Sequence, residues 1–122
     1  MASSVRAILP SVLQNLRVPV IAAPLFIISV PRLVIAQCTS GVIGSFPALN
    51  ARTSVQLEEW LQEISEGLAA HDKLHPQRKS APFAINQIVH KSNSRLESDL
   101  ASAVKFRVPI TISSLGARSD VN

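Results

Sequence analysis

Residues 18–46 of the chain read VPVIAAPLFIISVPRLVIAQCTSGVIGSF, and this stretch decides the fold. Its first six residues form an apolar run with a proline in second place, which is typical of a strand buried on both faces. Ser29, Pro31 and Gly41 supply an N-cap, a first-turn proline and a C-terminal glycine, which predict a helix of about ten residues. Residues 42–46 form a second short apolar strand. The stretch therefore predicts two parallel strands joined by a crossover helix.

The next helix carries the clearest pattern in the chain. Thr53 and Gln56 have the spacing of a capping box. The residues that follow place one apolar stripe on the helix, at Leu57, Trp60, Leu61, Ile64 and Leu68. Its glutamates lie away from the stripe, so they are predicted to face solvent rather than to form a carboxylate cluster. Residues 71–80 are predicted to form a polar loop.

Two further strands complete the pattern. Residues 83–89 (FAINQIV) predict a third strand, and Ser94 with Glu97 predicts the start of a helix that ends at Lys105. Residues 108–112 (VPITI) predict a fourth strand, and the SSLGAR sequence after it resembles a loop that leads into another helix. With a short helix over residues 12–16 in front, this order predicts an α/β fold with a parallel sheet. The topology alone allows a small doubly wound sheet or part of a (β/α)8 barrel.

Composition excludes several classes of protein. The chain has 122 residues, 47% of them hydrophobic, with a single cysteine, so it is neither disordered nor a disulfide scaffold. The net charge of +4 comes from isolated basic residues without a Lys/Arg cluster, so we expect no nucleic-acid partner. Pro19, Pro24, Pro31 and Arg32 interrupt the most apolar window, so we expect no membrane span.

Ligands of parallel sheets bind at the carboxyl ends of the strands, and here these ends carry small, amide or hydroxyl residues. They are residues 22–25 (AAPL), 44–47 (GSFP), 86–87 (NQ) and 113–116 (SSLG). Phosphate-binding glycine motifs are missing from the sequence. His71 and His75 lack a third metal ligand, so no metal site is predicted, and Cys38 and His90 are predicted to be structural.

These strand ends carry a resemblance to a known family. Residues 16–52 (LRVPVIAAPLFIISVPRLVIAQCTSGVIGSFPALNAR) resemble the opening of the nitronate monooxygenases, formerly called 2-nitropropane dioxygenases. Residues 82–90 (PFAINQIVH) and 108–118 (VPITISSLGAR) resemble that family's third and fourth strands. The similarity spans about 100 residues in unbroken order.

The resemblance implies an FMN-dependent barrel enzyme that oxidises alkyl nitronates with O2 to a carbonyl compound and nitrite. It implies that the backbone of Ala23, Pro24 and Leu25 lies along the flavin ring and that Asn86 hydrogen-bonds the flavin. Leu25 stands where the family has methionine, a substitution that conserves volume. Small-molecule nitronate and O2 are the implied partners.

The resemblance also implies that residues 1–122 form a single partial domain. This domain is the N-terminal portion of a TIM (β/α)8 barrel, with about four strands and three to four helices. The family's catalytic histidine is then expected beyond Asn122, so this fragment alone is expected to be inactive. Two alternatives stay open: a non-catalytic truncated product, or a related FMN-barrel enoyl-thioester reductase. Residues 29–31 (SVP) and 45–47 (SFP) favour the nitronate family.

The start of the chain bears on its compartment. Residues 1–17 contain two arginines and no acid, which is weakly similar to a mitochondrial presequence. A clear secretory signal is missing, so the cytoplasm is the expected compartment and mitochondria are the alternative. No sequence feature indicates an oligomeric state.

Overall fold

The structure, a computed structural model, describes residues 10–14 and 16–121. Its α-helices are α1 (Ser11–Gln14), α2 (Pro31–Thr39), α3 (Ser54–Leu74) and α4 (Leu96–Lys105). Its strands are β1 (Gly44–Pro47), β2 (Phe83–Ile88) and β3 (Ile110–Ser114). Short 3-10 turns lie at Ala48–Asn50 and Ser119–Val121.

The strands form one parallel sheet in the order β1-β2-β3. Gly44 is paired with Phe83 at the start of β1, and Ala84 of β2 is paired with Ile110 of β3. Each pair of neighbouring strands is connected through a helix, α3 and then α4. The prediction of an α/β fold with a parallel sheet is therefore confirmed.

The prediction that residues 18–23 form a strand buried on both faces is wrong. Residues 18–23 lie beside β1 in the expected parallel direction, but they make a single bridge, between Ile21 and Ile43. The Ala22 N–H donates to the Ile43 carbonyl (2.8 Å), and the Ile43 N–H donates to the Val20 carbonyl (3.1 Å). Val18, Val20 and Ile21 are exposed. Pro19 lacks an N–H, and the segment has a sheet neighbour on one side alone among the described residues, so pairing stays short.

Of the three helix starts that the sequence predicted, one is confirmed and two are wrong. Thr53 caps α3 as predicted, because its Oγ1 accepts from the Gln56 N–H at 3.0 Å. Ser29 is not the N-cap of α2: Val30 occupies that position, and Ser29 Oγ accepts instead from the Leu25 N–H. Ser94 does not cap α4 either, since the N-cap is Arg95. The Ser29 hydroxyl is therefore used within its own loop instead of at the start of α2.

Other boundaries differ by a few residues. Helix α3 continues through Leu74 into the predicted loop at 71–80. Strand β2 ends one residue early, at Ile88, and β3 begins and ends two residues later than predicted, at Ile110 and Ser114. After β3 the structure shows a 3-10 turn at Ser119–Val121 within the residues it describes, rather than a full helix.

The core lies on both faces of the sheet, but helices α2, α3 and α4 all pack on the same one. On that face, the apolar stripe of α3 packs with residues of α2, α4 and the sheet. The buried residues of this cluster include Val34, Leu57, Leu61, Ile64, Phe46, Ile85 and Ala103. Trp60 meets Phe46 edge to face, with ring centroids 5.9 Å apart. On the opposite face a smaller cluster gathers around Leu16, Ile43 and Ala84. No helix in the described part of the chain combines the length and apolarity needed to cross a bilayer.

Candidate functional site

The face of the sheet opposite α2, α3 and α4 becomes more polar toward the carboxyl ends of the strands. At its amino end it is apolar, with Ile43, Ala84 and Ile110. At its carboxyl end it carries the polar Ser45, Asn86 and Ser114 beside Ile88 and Ile112, because side chains two residues apart share a face. This polar edge is the candidate site.

The turn 23–25 lies at one side of this edge. Ser45 Oγ donates to the Ala22 carbonyl, which ties the turn to β1. The backbone N–H and C=O of Ala23 make no hydrogen bond to any other described residue, whereas both backbone groups of Leu25 are engaged, by Ser29 and Asn50. Of the three positions implied by the resemblance, Ala23 therefore offers open backbone polar groups, and Leu25 offers a side chain that is 45% exposed.

Asn86 lies on the same edge, on β2. Its side chain is buried, and its Nδ2 donates to the Ile112 carbonyl (2.9 Å) and to Ser114 Oγ (2.7 Å). These two bonds use both amide hydrogens and fix the orientation of the group. Its Oδ1 accepts no hydrogen bond from the described residues, so it is an oriented acceptor. Because β1 lies between the turn and β2, Asn86 and the turn are two strand spacings apart, about 10 Å.

Sequence reasoning missed Asn50, which shapes the loop after this turn. Its Nδ2 donates to the carbonyls of Leu25 (3.0 Å) and Ser29 (2.9 Å), and its Oδ1 accepts from the Ile27 N–H (3.1 Å). Asn50 is the last residue of the 3-10 turn that follows β1. Its hydrogen bonds therefore join the loop after β1 to the loop at residues 25–29. A single asparagine in a polar break carries no spacing signal that could have revealed these contacts.

The thiol of Cys38 is buried in α2, as predicted. Burial raises its pKa to about 11, although the Gly44 N–H donates to its Sγ at 3.3 Å and acts in the opposite direction. A thiol with that pKa is protonated at neutral pH and is a poor nucleophile.

The histidines form no metal centre among the residues that the structure describes. The rings of His71 and His75 lie with their centroids 4.6 Å apart and their planes tilted by 35°, and His71 Nε2 contacts the Arg78 carbonyl at 3.1 Å. His90 is exposed beyond β2, where its Nδ1 contacts the Ser92 hydroxyl at 2.8 Å.

A buried polar pair also escaped sequence reasoning. Asp99 is wholly buried in α4, where its Oδ1 accepts from Arg95 Nη2 at 3.1 Å. Its Oδ2 has no partner within the described ranges, and burial raises the pKa of the carboxyl. Arg95 Nη1 in turn donates to the Ala51 carbonyl, so the pair joins α4 to the segment before α3. The pair faces the helical side of the sheet and is not part of the polar edge.

Comparison with known proteins found no relative of this chain. No family model matches the chain. No curated protein and no solved structure matches it either.

Proposed function

We propose that the polar edge is one wall of an FMN pocket in an oxidoreductase of the nitronate monooxygenase type, acting on alkyl nitronates with O2. The observation that carries the proposal is the meeting, on one edge, of the open Ala23 backbone and the oriented Oδ1 of Asn86. The resemblance of residues 16–52, 82–90 and 108–118 to that family supports the assignment of the ligand.

The residues at this edge fit a flavin ring. An isoalloxazine is flat, with apolar faces and polar N–H and C=O groups on its rim. The small side chains of Ala22 and Ala23 allow its close approach to the backbone. The open N–H and C=O of Ala23 can pair with rim groups, and Asn86 Oδ1 can accept a ring N–H. Leu25 presents an exposed apolar side chain beside the same turn.

In the proposed reaction the chain's own residues bind and orient. FMN, when bound, supplies the electron transfer between the nitronate and O2. Ser114 and the Ile112 carbonyl hold the Asn86 amide so that its oxygen, not its nitrogen, would face a bound flavin ring. Ser45 holds the Ala22 carbonyl, which keeps the turn at the edge of β1. The proposal assigns the proton-abstracting base to none of these residues.

The same proposal includes a barrel rather than a doubly wound sheet. In a doubly wound sheet, helices cover both faces, whereas in a barrel they cover the outside alone. Here the three longer helices, α2, α3 and α4, share one face, and the other carries the smaller cluster around Ile43 and Ala84, against which Leu13 of the four-residue α1 packs. This placement supports the reading of the sheet as part of a (β/α)8 barrel whose interior contains the polar edge.

Titration of the 122-residue chain with FMN tests the pocket. We expect saturable quenching of flavin fluorescence, and we expect Asn86→Ala to weaken binding about fivefold, because one oriented hydrogen bond is lost. Gln62→Ala is the matched control, since Gln62 is exposed on α3 and pairs with Glu66. The control is expected to bind as the unmodified chain does.

Amide NMR dispersion of the same samples separates loss of the pocket from loss of the fold. Unchanged flavin fluorescence in a well-dispersed sample would contradict the proposal, as would equal affinities of the Asn86→Ala variant and the unmodified chain. Unchanged fluorescence with poorly dispersed signals would instead favour the non-catalytic alternative.

A further inference from the structure

A groove lies between the loop after residue 24 and the start of α3. It measures about 250 Å³, and we call it the Trp60 groove; its lining includes Phe26, Ile27, Val30, Leu49, Trp60 and Arg52. Five of these six side chains are apolar, and the two remaining lining residues, Asn50 and Gln56, carry polar amides. The groove shares none of its lining with the polar edge of the sheet.

One wall of the groove has a strained backbone that side-chain hydrogen bonds hold in place. Ile27 has φ +67°, and the Ile28 N–H donates to the Phe26 carbonyl at 2.7 Å, which makes a tight three-residue turn. This conformation is unfavourable for a β-branched residue. The Asn50 side chain donates two hydrogen bonds to this loop and accepts one from it, and these bonds hold the loop in place despite that cost. Strain that the surroundings maintain in this way is found mainly at binding sites.

The same loop exposes a continuous apolar surface. Phe26, Ile27 and Ile28 are 73%, 65% and 62% exposed. Soluble proteins rarely leave several large apolar side chains together in water unless the surface binds something. Since an apolar cavity of about 150 Å³ admits a six-carbon benzene ring, the groove has room for roughly ten carbon atoms.

The charge of the groove identifies the other end of its ligand. Arg52 is exposed at the groove, and its guanidinium makes no hydrogen bond or ion pair with the described residues. None of the residues that line the groove is acidic, and the first turn of α3 contains no acid. A ligand with an apolar chain and an anionic head therefore complements both parts of the groove.

We infer that the Trp60 groove binds a medium-chain carboxylate, with the alkyl chain against Phe26, Ile27 and Trp60 and the carboxylate on Arg52. The inference is independent of flavin binding, because neither Ala23 nor Asn86 lines the groove.

Trp60 is the single tryptophan of the chain, so its emission reports directly on the groove. We expect decanoate, kept below its micelle-forming concentration, to cause a saturable blue shift of this emission. Arg52→Gln is expected to weaken decanoate binding about fivefold, because an exposed ion pair is lost. Arg78→Gln, at an exposed arginine of the loop after α3, is the matched control and is expected to have no effect.

The apolar half of the groove is tested with Phe26→Ser, which is expected to weaken binding about tenfold. Its control is Leu74→Ser, at a side chain that is 76% exposed and lies outside the groove. Decyltrimethylammonium provides the same chain length with the opposite charge and is expected to bind more weakly than decanoate.

Three results would overturn the inference. One is the lack of a saturable change in Trp60 emission. Another is equal affinity for decanoate and decyltrimethylammonium, which would indicate general apolar adhesion. The third is a blue shift that depends on protein concentration alone, which would show that a second copy of the chain fills the groove.

Discussion

The carboxylate of Asp99 shows how one buried group can oppose the stability of a fold. It is wholly buried, and Arg95 satisfies one of its oxygens while the other has no partner among the described residues. Burial raises the pKa of this carboxyl, and the nearby Arg95 and Ser54 side chains lower it by less. The charged form is therefore less favourable in the folded chain than in the unfolded chain.

This pKa shift predicts the sign of a pH effect. Below the ordinary value of 3.8 both states hold the proton. Above it the unfolded chain loses its proton first, so the free energy of unfolding falls with rising pH until the raised folded-state pKa is passed. Asp99→Asn removes this decline, so its stability relative to the unmodified chain is expected to increase from pH 4 to pH 7. Urea denaturation at one-unit pH intervals measures the difference.

Glu58 supplies a control of opposite sign. Lys105 Nζ donates to its carboxylate at 2.9 Å and lowers the pKa of Glu58. That contribution is present above the ordinary pKa and is lost as the pH falls, so Glu58→Gln is expected to lose relative stability from pH 4 to pH 7.

Parallel pH curves for Asp99→Asn and the unmodified chain would refute the account of Asp99.

At the scale of elements, the position of α2 depends on two glycines in its neighbours. A Cβ on Gly44 of β1 would lie 2.6 Å from the Val34 carbonyl oxygen of α2 and 3.1 Å from Cys38 Sγ. A Cβ on Gly67 of α3 would lie 2.8 Å from Cδ1 of Ile35. The two contacts differ in kind, because the first involves backbone and the second involves the end of a flexible side chain.

This difference predicts unequal effects of the same substitution. Gly44→Ala forces α2 away from the sheet and is expected to lower the free energy of unfolding by about 3 kcal/mol. Gly67→Ala allows Ile35 to change rotamer and gains helix propensity of about 1 kcal/mol, so its net effect is expected to be within about 1 kcal/mol of zero. Thermal and urea denaturation of the two variants measure both values. Equal destabilisation would show that α2 is not held by the contact at Gly44.

At the scale of the whole molecule, the sheet that the described residues form has two open sides. Strand β3 is an edge strand in the described residues, and it is half-buried along its length. Leu115, directly after it, is 73% exposed. At the other side, Val18, Val20 and Ile21 are exposed beside β1. Unpaired parallel edges flanked by apolar side chains favour pairing with further strands.

We expect the 122-residue chain to self-associate through β3 as its concentration rises from micromolar to millimolar. The Ser114 carbonyl accepts from the Val89 N–H, so Ser114 faces β2 and the N–H of Ser113 points to the open side. Ser113→Pro removes that outward donor and is expected to reduce association with little loss of stability.

Sedimentation velocity across the concentration range measures the association. Ser114→Pro is the contrasting variant, because its proline disturbs the pairing with β2 and is expected to lower stability. A sedimentation coefficient that does not change with concentration would contradict the prediction for β3.

Much of the fold could be predicted because its signals are local. The capping of α3 by Thr53 and the apolar stripe from Leu57 to Leu68 involve neighbours within one or two helical turns, and both are confirmed. The alternation of strands and helices predicted a parallel sheet, and the register of β1, β2 and β3 confirms it. The edge position of residues 18–23 could not be predicted, since an apolar run does not reveal how many neighbours it has.

The amino-acid sequence by itself determined the element types, their order and the residues that follow each strand, because these depend on short-range periodicity and turn chemistry. Only the tertiary structure decided which of those residues act together. Asn50 clamps a loop that lies 21 to 25 residues earlier in the chain, and Asn86 is oriented by Ser114, 28 residues later. Such contacts depend on how the strands are placed side by side. That placement is set by burial of the sheet's two faces, and it cannot be predicted from the spacing of neighbouring residues.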